Sequence, residues 1–449
     1  MPIDLGLARV SKLLQHLGNP HKSSFKSIHV AGTNGKGSTI AYLSSILTTC
    51  KIRVGRFTSP HLIHYNDSVT IDNEPYPIAK FDSFASLVNE KNLTFGLGCT
   101  EFELMTATAF KIFEQEKIDL AIIEVGLGGR LDATNVLEAY SSQYAEGTRG
   151  GVIVSAITKI GLDHEKFLGN DLAGIAGEKA GIIKKGIPCV VDGTNESPVI
   201  SKIKNIAVER EASLYLVNGF RDTNNNGETQ NEQIGSASFA KECLQTSPLK
   251  GEFQLQNLAV ALYVIQILIK EYAKLLDKLS VTIDKESIKE GIRTTSWPGR
   301  LQELAPKNRP WSVLIDGAHN ESAAIELGKY VNETLRVNKG VIFVVAMTEG
   351  KSIENLLKHI AVKDTDTLIA TSFTVPEKMP WVKCYDPEFL ADQAKQYVND
   401  VHVCASEKDN IAHVYDFINS FRENGDNRNI VMCGSLYLCS DILKDYQHS

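Results

Sequence analysis

The chain has 449 residues, of which 43% are hydrophobic and 22% charged, a composition typical of a globular protein with two or three domains. Its net charge of −7 argues against a nucleic-acid or anionic-membrane partner, so positive charge that binds an anion must be local. The eight cysteines form no C-x-x-C pair and predict buried thiols in a reducing compartment. We see no targeting signal, and the longest apolar run, 258–269, is too short to span a membrane, so we expect a cytoplasmic protein, with a mitochondrial pool as the open alternative.

Strand-like apolar runs alternate with amphipathic segments, which predicts an α/β fold of parallel sheets with helices on both faces. The first predicted strands are Ser27–Ala31, Leu120–Val125, Val152–Thr158 and Pro188–Asp192. Two polar stretches, Tyr140–Gly151 and Phe220–Lys250, are predicted to be surface loops.

The segment Trp297-Pro298-Gly299-Arg300 predicts a hinge, which divides the chain into domains 1–297 and 298–449. The smaller second domain repeats the α/β alternation, with predicted strands at Ser312–Ile315, Val341–Ala346, Thr367–Thr371, Val401–Cys404 and Ile430–Cys433. Ligands in such folds bind at the carboxyl ends of strands.

The loop 31–38 follows the first strand and leads into a predicted helix over 38–49. It combines three glycines with Lys36, so backbone N–H groups, an ammonium and a helix N-terminus converge as they do at a nucleotide phosphate. The spacing differs from the usual phosphate-binding loop, because Gly37 follows Lys36 and the hydroxyl comes at Ser38. An ordinary strand–helix turn therefore stays open as an alternative for this segment alone.

Several charged side chains also follow predicted strands. Glu124 ends an apolar strand, where Mg²⁺ on nucleotide phosphates would offset the cost of its burial. His164 follows the next strand, and its position beside Glu124 favours a metal ligand over a helix cap. Lys179 lies among small residues, where a desolvated lysine can lose its proton, although a surface ammonium is the plainer alternative.

Three further segments have both a functional and a structural interpretation. Ser59 lies in a proline-stiffened turn, and Asp316 and His319 follow a strand of the second domain. Thr100-Glu-Phe-Glu103 before an apolar helical pattern predicts a capping box, which leaves Phe102 as an aromatic platform.

Together these segments resemble the folylpolyglutamate synthase/dihydrofolate synthase family, relatives of the Mur ligases. The resemblance covers nearly the whole chain and rests on motifs in one order: 31–38, 58–61, 124–135, 162–164, 178–181, 254–257, 297–300, 316–320 and 434–437. The amino-acid sequences of segments 100–104 and 434–439 are most similar to those of the fungal dihydrofolate synthetases. The resemblance implies a Mur ligase-like architecture, with an N-terminal P-loop-type ATPase domain and a smaller Rossmann-like α/β domain.

The resemblance also implies an ATP-dependent ligase that converts a substrate carboxylate to an acyl phosphate and then joins it to L-glutamate. It implies two Mg²⁺ sites and a monomer without nucleic-acid or membrane partners. Lys36, Lys179 and His319 would be catalytic. The implied ATP-binding residues are Asn34, Gly35, Lys36, Gly37, Ser38, Asn257, Arg300 and Asp316. The implied metal ligands are Ser59, Glu124, His164 and a carbamate, formed from CO₂, on Lys179.

Dihydropteroate is the substrate that we favour. The family pattern places it against Thr100, Glu101, Phe102, Glu103, Leu131, Asp132 and Ala133. We expect Phe102 to pack on the pterin and Asp132 to accept two of its N–H groups. Folylpolyglutamate synthase activity, both activities together, and a nucleotide-binding regulator without ligase activity are the alternatives. The presence of Lys36, Glu124, His164 and Lys179 argues against the regulator, since binding alone needs no metal site.

Overall fold

The computed structural model describes residues 4–141, 150–163, 165–221, 233–306, 309–336, 339–404 and 410–448. The chain divides into two compact units. Unit 1 comprises Met1–His61, Asn66–Pro248 and Glu252–Trp297, and unit 2 comprises Leu62–Tyr65, Leu249–Gly251 and Pro298–Ser449.

Unit 1 is built on an eight-stranded sheet in the order β4-β3-β2-β5-β1-β6-β7-β8. Its strands are β1 (Lys26–Ala31), β2 (Val54–Phe57), β3 (Val69–Ile71), β4 (Glu74–Pro75), β5 (Leu120–Glu124), β6 (Gly151–Ile157), β7 (Cys189–Asp192) and β8 (Leu214–Val217). Every residue of β5 and β6 is buried, as expected for central strands of a parallel sheet covered on both faces. The two edge strands β3 and β4 pair antiparallel and lack the long apolar runs that sequence patterns detect.

Twelve described helices belong to unit 1. They are α1 (Ala8–His16), α2 (Pro20–Ser23), α3 (Lys36–Thr49), α4 (Ile78–Thr94), α5 (Glu101–Gln115), α6 (Glu165–Leu168), α7 (Leu172–Ala180), α8 (Ser197–Glu209), α9 (Ala237–Leu244), α10 (Phe253–Glu271), α11 (Ala273–Lys278) and α12 (Lys285–Arg293). Short 3₁₀ turns cover Tyr65–Ser68 and Ala133–Val136.

Helix α10 is the central helix of unit 1. Among the described residues it is the one helix long and apolar enough to cross a membrane by length and composition alone. Because 78% of its apolar window is buried within the protein, it has the character of a core helix.

Part of the predicted loop Phe220–Lys250 is helical, so that prediction was wrong for α9. The Oγ of Ser236 caps this helix by accepting a hydrogen bond from Phe239 N at 3.2 Å. The N–H of Gly235 donates to Gln266 Oε1 of α10 at 2.9 Å, and the apolar side of α9 is buried. The apolar residues of α9 form a short pattern within a mainly polar segment, which the sequence analysis did not detect. Contact with α10 decides that this segment is helical. Residues 222–232, and 142–149 of the other predicted loop, lie outside the described residues.

Unit 2 contains a six-stranded sheet in the order β13-β12-β11-β14-β10-β9. Its strands are β9 (Gln302–Leu304), β10 (Val313–Ile315), β11 (Val341–Val345), β12 (Thr367–Ala370), β13 (Asp400–Val403) and β14 (Asn429–Cys433). Its α-helices are α13 (Glu321–Tyr330), α14 (Ile353–Ile360), α15 (Pro387–Ala394), α16 (Asn410–Glu423) and α17 (Leu436–His448), and a π-helical turn follows α13 at Val331–Leu335. All pairs are parallel except β9 with β10, so the predicted parallel fold is confirmed with antiparallel strands at one edge of each sheet.

Gly55 of β2 is required by packing against the neighbouring helix layer. A Cβ there would lie 2.5 Å from Ile118 Cδ1 and 2.6 Å from Phe113 Cδ1, and both side chains are buried. We therefore predict that Gly55→Ala lowers the free energy of unfolding by about 1–3 kcal/mol through overpacking. Urea denaturation measures this, with Ser83→Ala on the exposed side of α4 as a control expected to stay within about 0.5 kcal/mol. Equal stability of both variants and the parent would contradict the packing.

Candidate active site

The glycine loop between β1 and α3 is anchored to the chain that leaves β6. The N–H groups of Thr33 and Asn34 donate to Lys159 O at 2.8 and 3.1 Å, and Thr33 Oγ1 donates to Gly161 O at 3.0 Å. Strand β1 lies between β5 and β6 in the sheet. The connections from neighbouring strands run to opposite sides of the sheet at this point, and α/β sheets bind ligands at such a point. With the loop held in this way, the first N–H groups of α3, which have no acceptor within the helix, form the anion-binding end.

Two glycines of this loop are required by close contacts. Gly35 has φ 86°, a left-handed conformation, and a Cβ there would lie 2.2 Å from Asn257 Oδ1. A Cβ on Gly37 would lie 2.5 Å from the ring of Trp297. The unusual glycine after Lys36 therefore makes room for an aromatic side chain at the start of α3.

Two lysines converge on one carbonyl of the loop. Lys36 Nζ donates to Gly32 O at 3.1 Å and to Thr33 O at 3.2 Å, and Lys179 Nζ donates to the same Gly32 O at 2.9 Å. Lys179 comes from the last turn of α7 and is 6% exposed. Burial, and secondly the charge of Lys36, lower the pKa of Lys179 to about 7. A large share of Lys179 is thus the neutral amine near pH 7, which can act as a nucleophile.

Glu124 lies at the carboxyl end of β5, 5% exposed, between a cation and an amide. Its Oε1 is 3.7 Å from Lys36 Nζ, and its Oε2 accepts a hydrogen bond from Ser59 N at 3.1 Å. Two of the residues predicted to bind metal, Glu124 and Ser59, are thus neighbours beside the phosphate-binding loop. A buried carboxylate in this place fits Mg²⁺, which binds through one or two carboxylates together with phosphate oxygens.

The remaining predicted metal ligand, His164, lies outside the described residues. Within the described ranges, no three His, Cys, Asp or Glu side chains form a metal-binding group. Asp163, which precedes His164, is near enough to Lys179 to raise the pKa of that lysine, in opposition to burial. Asp163 therefore lies on the side of the β6 connection that faces Lys179 electrostatically.

The first turn of α10 joins the phosphate-binding loop through a chain of polar contacts. Asn257 Nδ2 donates to Gln254 Oε1 at 3.0 Å, and Gln254 Nε2 donates to Ser38 Oγ at 3.2 Å. Thr39 Oγ1 donates to Asn257 O at 3.3 Å. Of the predicted ATP-binding residues, Asn34, Gly35, Lys36, Gly37, Ser38 and Asn257 are thus gathered in unit 1. Gln254 was not among them, although its place one helical turn before Asn257 was a usable signal.

The predicted capping box at the start of α5 is confirmed. Thr100 Oγ1 accepts from Glu103 N at 3.3 Å, and Glu103 Oε2 accepts from Thr100 N at 2.7 Å and from Arg9 Nε at 3.0 Å. Glu103 therefore has a structural role as part of the cap of α5. Because it is only 2% exposed, little of its surface is accessible to a substrate.

Phe102 packs beside the glycine-rich loop after β5. Its ring centroid is 5.9 Å from that of Phe57, and a Cβ on Gly126 would lie 2.4 Å from its Cζ. Phe102, Glu101 and Leu131 are half-buried and retain some accessible surface, whereas Ala133 is buried. Phe102 thus packs against the loop that carries Asp132.

The expectation that Asp132 accepts two pterin N–H groups needs correction. Its carboxylate is 1% exposed and already accepts hydrogen bonds from Leu127 N at 2.8 Å, Thr134 N at 3.0 Å and Thr134 Oγ1 at 2.5 Å. A backbone hydrogen bond from Gly126 also lowers the pKa of Asp132, in opposition to burial, which raises it. A carboxylate has about four acceptor positions, so these four donors leave no open position for a pterin N–H. The sequence did not show that Asp132 caps the 3₁₀ turn that follows it.

In unit 2, Arg300, Asp316 and His319 lie around one loop after β10. Asp316 accepts from Leu301 N and Ala318 N, both at 2.8 Å, and burial raises its pKa while Arg300 lowers it. Arg300 Nη1 donates to Gly299 O at 2.9 Å, and His319 Nδ1 is 2.7 Å from Gly317 O. The three predicted residues of this unit are therefore brought together within it.

Comparison with known proteins identifies the family. The family model "Dihydrofolate synthetase, C-terminal domain" matches residues 300–445. Dihydrofolate synthetase of Saccharomyces cerevisiae is 40% identical over 458 residues, covering 99% of this chain and 98% of that protein. The chain belongs to the folylpolyglutamate synthase/dihydrofolate synthase family. Probable dihydrofolate synthetase of Schizosaccharomyces pombe is similar at 39% identity, with 99% of each chain covered. The predicted class of enzyme, an ATP-dependent ligase, is confirmed by this membership.

Solved structures of the family share the fold. A bifunctional folylpolyglutamate synthase/dihydrofolate synthase from Yersinia pestis, complexed with AMPPNP and a Mn ion, has a TM-score of 0.74 at 27% identity and covers 100% of this chain and 95% of that one. Escherichia coli FolC in complex with DHPP and ADP has a TM-score of 0.70 at 26% identity, with the same coverage. The predicted Mur ligase-like architecture is confirmed, and nucleotide and divalent metal accompany it in the Yersinia protein.

The buried ammonium of Lys179 predicts a pH-dependent stability. Its folded pKa near 7 lies below the 10.5 of a free lysine, so the unfolded state holds more protons between these values and stability rises with pH there. In CO₂-depleted buffer we expect Lys179→Met to be more stable than the parent by up to about 5 kcal/mol below pH 7, with the gap closing towards pH 10. Urea unfolding at pH 6, 8 and 9.5 measures this.

Lys185→Met is the matched control for the Lys-to-Met change itself, because the Lys185 side chain is 70% exposed and lies outside the site. A constant difference for Lys179→Met across the same range would show that its ammonium is not destabilised by burial.

Proposed function

We propose that this chain is a dihydrofolate synthase, which uses ATP to join the benzoate carboxyl of 7,8-dihydropteroate to the amine of L-glutamate. The observation that carries the proposal is the convergence of Lys36 and Lys179 on the loop at the start of α3, with Glu124 beside them. A phosphate-binding loop with extra cationic charge and one metal-binding carboxylate suits phosphoryl transfer to a carboxylate. The two fungal dihydrofolate synthetases support the substrate.

The reaction has two balanced steps. A carboxylate oxygen of dihydropteroate attacks the γ-phosphorus of ATP, the bond from that phosphorus to the β,γ-bridging oxygen breaks, and ADP leaves. The glutamate amine then attacks the acyl carbon, loses a proton, and phosphate leaves as the amide forms. Because phosphoryl transfer depends on positioning and charge neutralisation, the protein's task in the first step is to hold anions in line.

Lys36 and the first N–H groups of α3 would hold the β- and γ-phosphates. The Lys36 ammonium already bonds two loop carbonyls, so it needs only to exchange these acceptors for phosphate oxygens. Ser38 and Asn257, joined through Gln254, hold the helix start in place beneath the nucleotide. The loop is therefore arranged before the nucleotide arrives, which limits the ordering cost of binding.

Glu124 and Ser59, with His164, would hold Mg²⁺. When bound, the metal neutralises phosphate charge and orients the transferring group. The remaining contribution is the protein's own: Glu124 is fixed by Ser59 N and by Lys36, so its carboxylate is oriented before any ligand binds.

Lys179 is proposed to carry a carbamate. Its neutral amine would attack CO₂ and lose a proton, forming an N–C bond and replacing a cation with an anion able to bind a second Mg²⁺. The pKa of about 7, caused mainly by burial, leaves the amine available for this step. Conversion to an anion would also remove the repulsion between Lys179 and Lys36.

The remaining predicted residues divide between the substrates. Phe102 would contact the pterin, with Asp132 holding the loop beside it, and Arg300, Asp316 and His319 would contact nucleotide or glutamate. We further propose a cytoplasmic monomer without nucleic-acid or membrane partners, in keeping with the net charge of −7.

The decisive assay measures ADP release with three acceptors. We expect glutamate-dependent ADP with dihydropteroate and none without an acceptor. Turnover of tetrahydrofolate-monoglutamate alone would instead assign folylpolyglutamate synthase, turnover of both substrates a bifunctional enzyme, and turnover of neither would refute ligase activity.

Lys36→Ala should keep the fold and lower kcat about 100- to 1000-fold, since removal of one preorganised charge contact costs about that much at a transition state. Lys185→Ala, a change of an exposed lysine, is the control. Wild-type turnover by a folded Lys36→Ala protein would show that the loop does not bind the transferring phosphate.

The carbamate is tested by the mass of the intact protein and by rescue. We expect a mass increase of about 44 Da, one CO₂, in bicarbonate, absent from Lys179→Ala and sensitive to acid. Lys179→Ala should be inactive, and short carboxylic acids should restore part of its activity. A free ammonium on Lys179 in active, nucleotide-bound enzyme would contradict the proposal.

A further inference from the structure

Arg56 is a half-buried cation that the proposed reaction has not yet used. It lies on β2, one residue before Phe57, and pairs in register with Ile122 of β5. Successive side chains of a strand point to opposite faces, and Gly55 faces Phe113 of α5. Arg56 therefore points to the other face of the sheet, the face on which Trp297 covers the start of α3.

Arg56 also shares that face with Glu124. In the parallel pairing of β2 with β5, Arg56 aligns with Ile122, and Glu124 is two residues further along the same strand. Side chains two apart lie on the same face, so Arg56 and Glu124 both point towards the phosphate-binding loop. The charge of Glu124 raises the pKa of Arg56, which shows that the two groups are electrostatic neighbours.

The hydrogen bonding of Arg56 is incomplete. Its Nε is buried and has no hydrogen-bond partner, and within the described residues the contact found for its guanidinium is a cation–π contact, not a hydrogen bond or ion pair. Burial lowers the pKa of Arg56 to about 10. Buried polar groups are nearly always paired, so a buried guanidinium nitrogen without a hydrogen-bond partner, on a side chain that is only half-buried, suggests a ligand.

Trp297 orients this guanidinium. The Cζ of Arg56 is 5.2 Å from the centroid of the Trp297 ring, and the same ring lies against Gly37 at the start of α3. A cation–π contact uses the charge of the guanidinium and none of its N–H groups, so these stay available to bind an oxyanion in a forked arrangement. Trp297 therefore links the position of Arg56 to the loop that holds Lys36.

We propose that Arg56 is a substrate-binding residue of this enzyme, which donates hydrogen bonds to an oxyanion of the first step. The oxyanion is either the carboxylate of dihydropteroate or the phosphoryl group that it receives. This inference rests on the proposed function. Arg56 adds a forked donor to a site whose other cation is the point charge of Lys36, because Lys179 is proposed to carry an anionic carbamate.

The test compares Arg56→Met, which keeps a long side chain against Trp297, with Arg56→Lys, which keeps the charge but not the fork. Arg53→Met is the control, because Arg53 lies just before β2, is exposed, and pairs with Glu116. Circular dichroism and thermal unfolding establish that each variant folds. We expect Arg56→Met to lose at least 100-fold, and Arg56→Lys at least 10-fold, in kcat/KM for dihydropteroate, with Arg53→Met unchanged.

Two further readouts identify the oxyanion. Calorimetry gives the Kd of dihydropteroate and of ATP, and positional isotope exchange in ATP, with dihydropteroate but without glutamate, reports the first step alone. A Kd for dihydropteroate that rises at least 10-fold, with that for ATP unchanged, assigns the carboxylate. Unchanged Kd values with lost isotope exchange assign the phosphoryl group.

Folded Arg56→Met with parental constants would overturn the inference. An Arg56→Met variant that does not fold, together with a fully active Arg56→Lys variant, would also overturn the inference. The charge would then be needed for the stability of the fold and not for binding an oxyanion. A parent enzyme that makes no dihydropteroate-dependent ADP would refute the proposed function and this inference with it. Parental kinetics of Arg56→Met beside an active parent would refute the inference alone.

Discussion

The carbonyl oxygen of Gly32 receives hydrogen bonds from both Lys36 and Lys179, at 3.1 and 2.9 Å. Two ammonium groups at one acceptor repel each other, and in a buried place solvent screens that repulsion poorly. Burial, and secondly the charge of Lys36, lower the pKa of Lys179 to about 7. An excess of positive charge at the start of a helix is poorly suited to an empty turn and well suited to a nucleotide triphosphate with a second anion beside it.

The same local charge explains how an acidic protein binds acidic substrates. The net charge of the chain is −7, yet Lys36 and Lys179 meet at the loop after β1, and Arg56 lies near the end of β2, with β5 between the two strands. Glu124 is the carboxylate between them, 3.7 Å from the Lys36 ammonium. Low-dielectric strands behind these groups strengthen each interaction, and the sheet holds them without the entropy cost of ordering surface loops.

The loop after β5 is held by its own polar network. The carboxylate of Asp132 accepts from Thr134 Oγ1 at 2.5 Å, and that hydroxyl is 2.9 Å from His29 Nε2 on β1. Burial lowers the pKa of His29 well below its ordinary value, so the ring stays neutral and takes part as a hydrogen-bonding group. This network fixes the loop beside Phe102 before substrate binds, which is preorganisation by internal hydrogen bonds rather than by direct substrate contact.

The sequence by itself determined the elements whose signals are local. The buried strands, the glycine loop with Lys36, the capping box at Thr100 and the family motifs could all be predicted, because each depends on neighbours a few residues away. Tertiary structure alone decided the short edge strands, the helix over Ala237–Leu244 and the partners of Asp132. It also decided the contact of Lys179 with Gly32, which are 147 residues apart, and the stacking of Arg56 on Trp297. Their cause is physical: burial, pKa shifts and ring stacking depend on distances that only the packed sheet and helices fix.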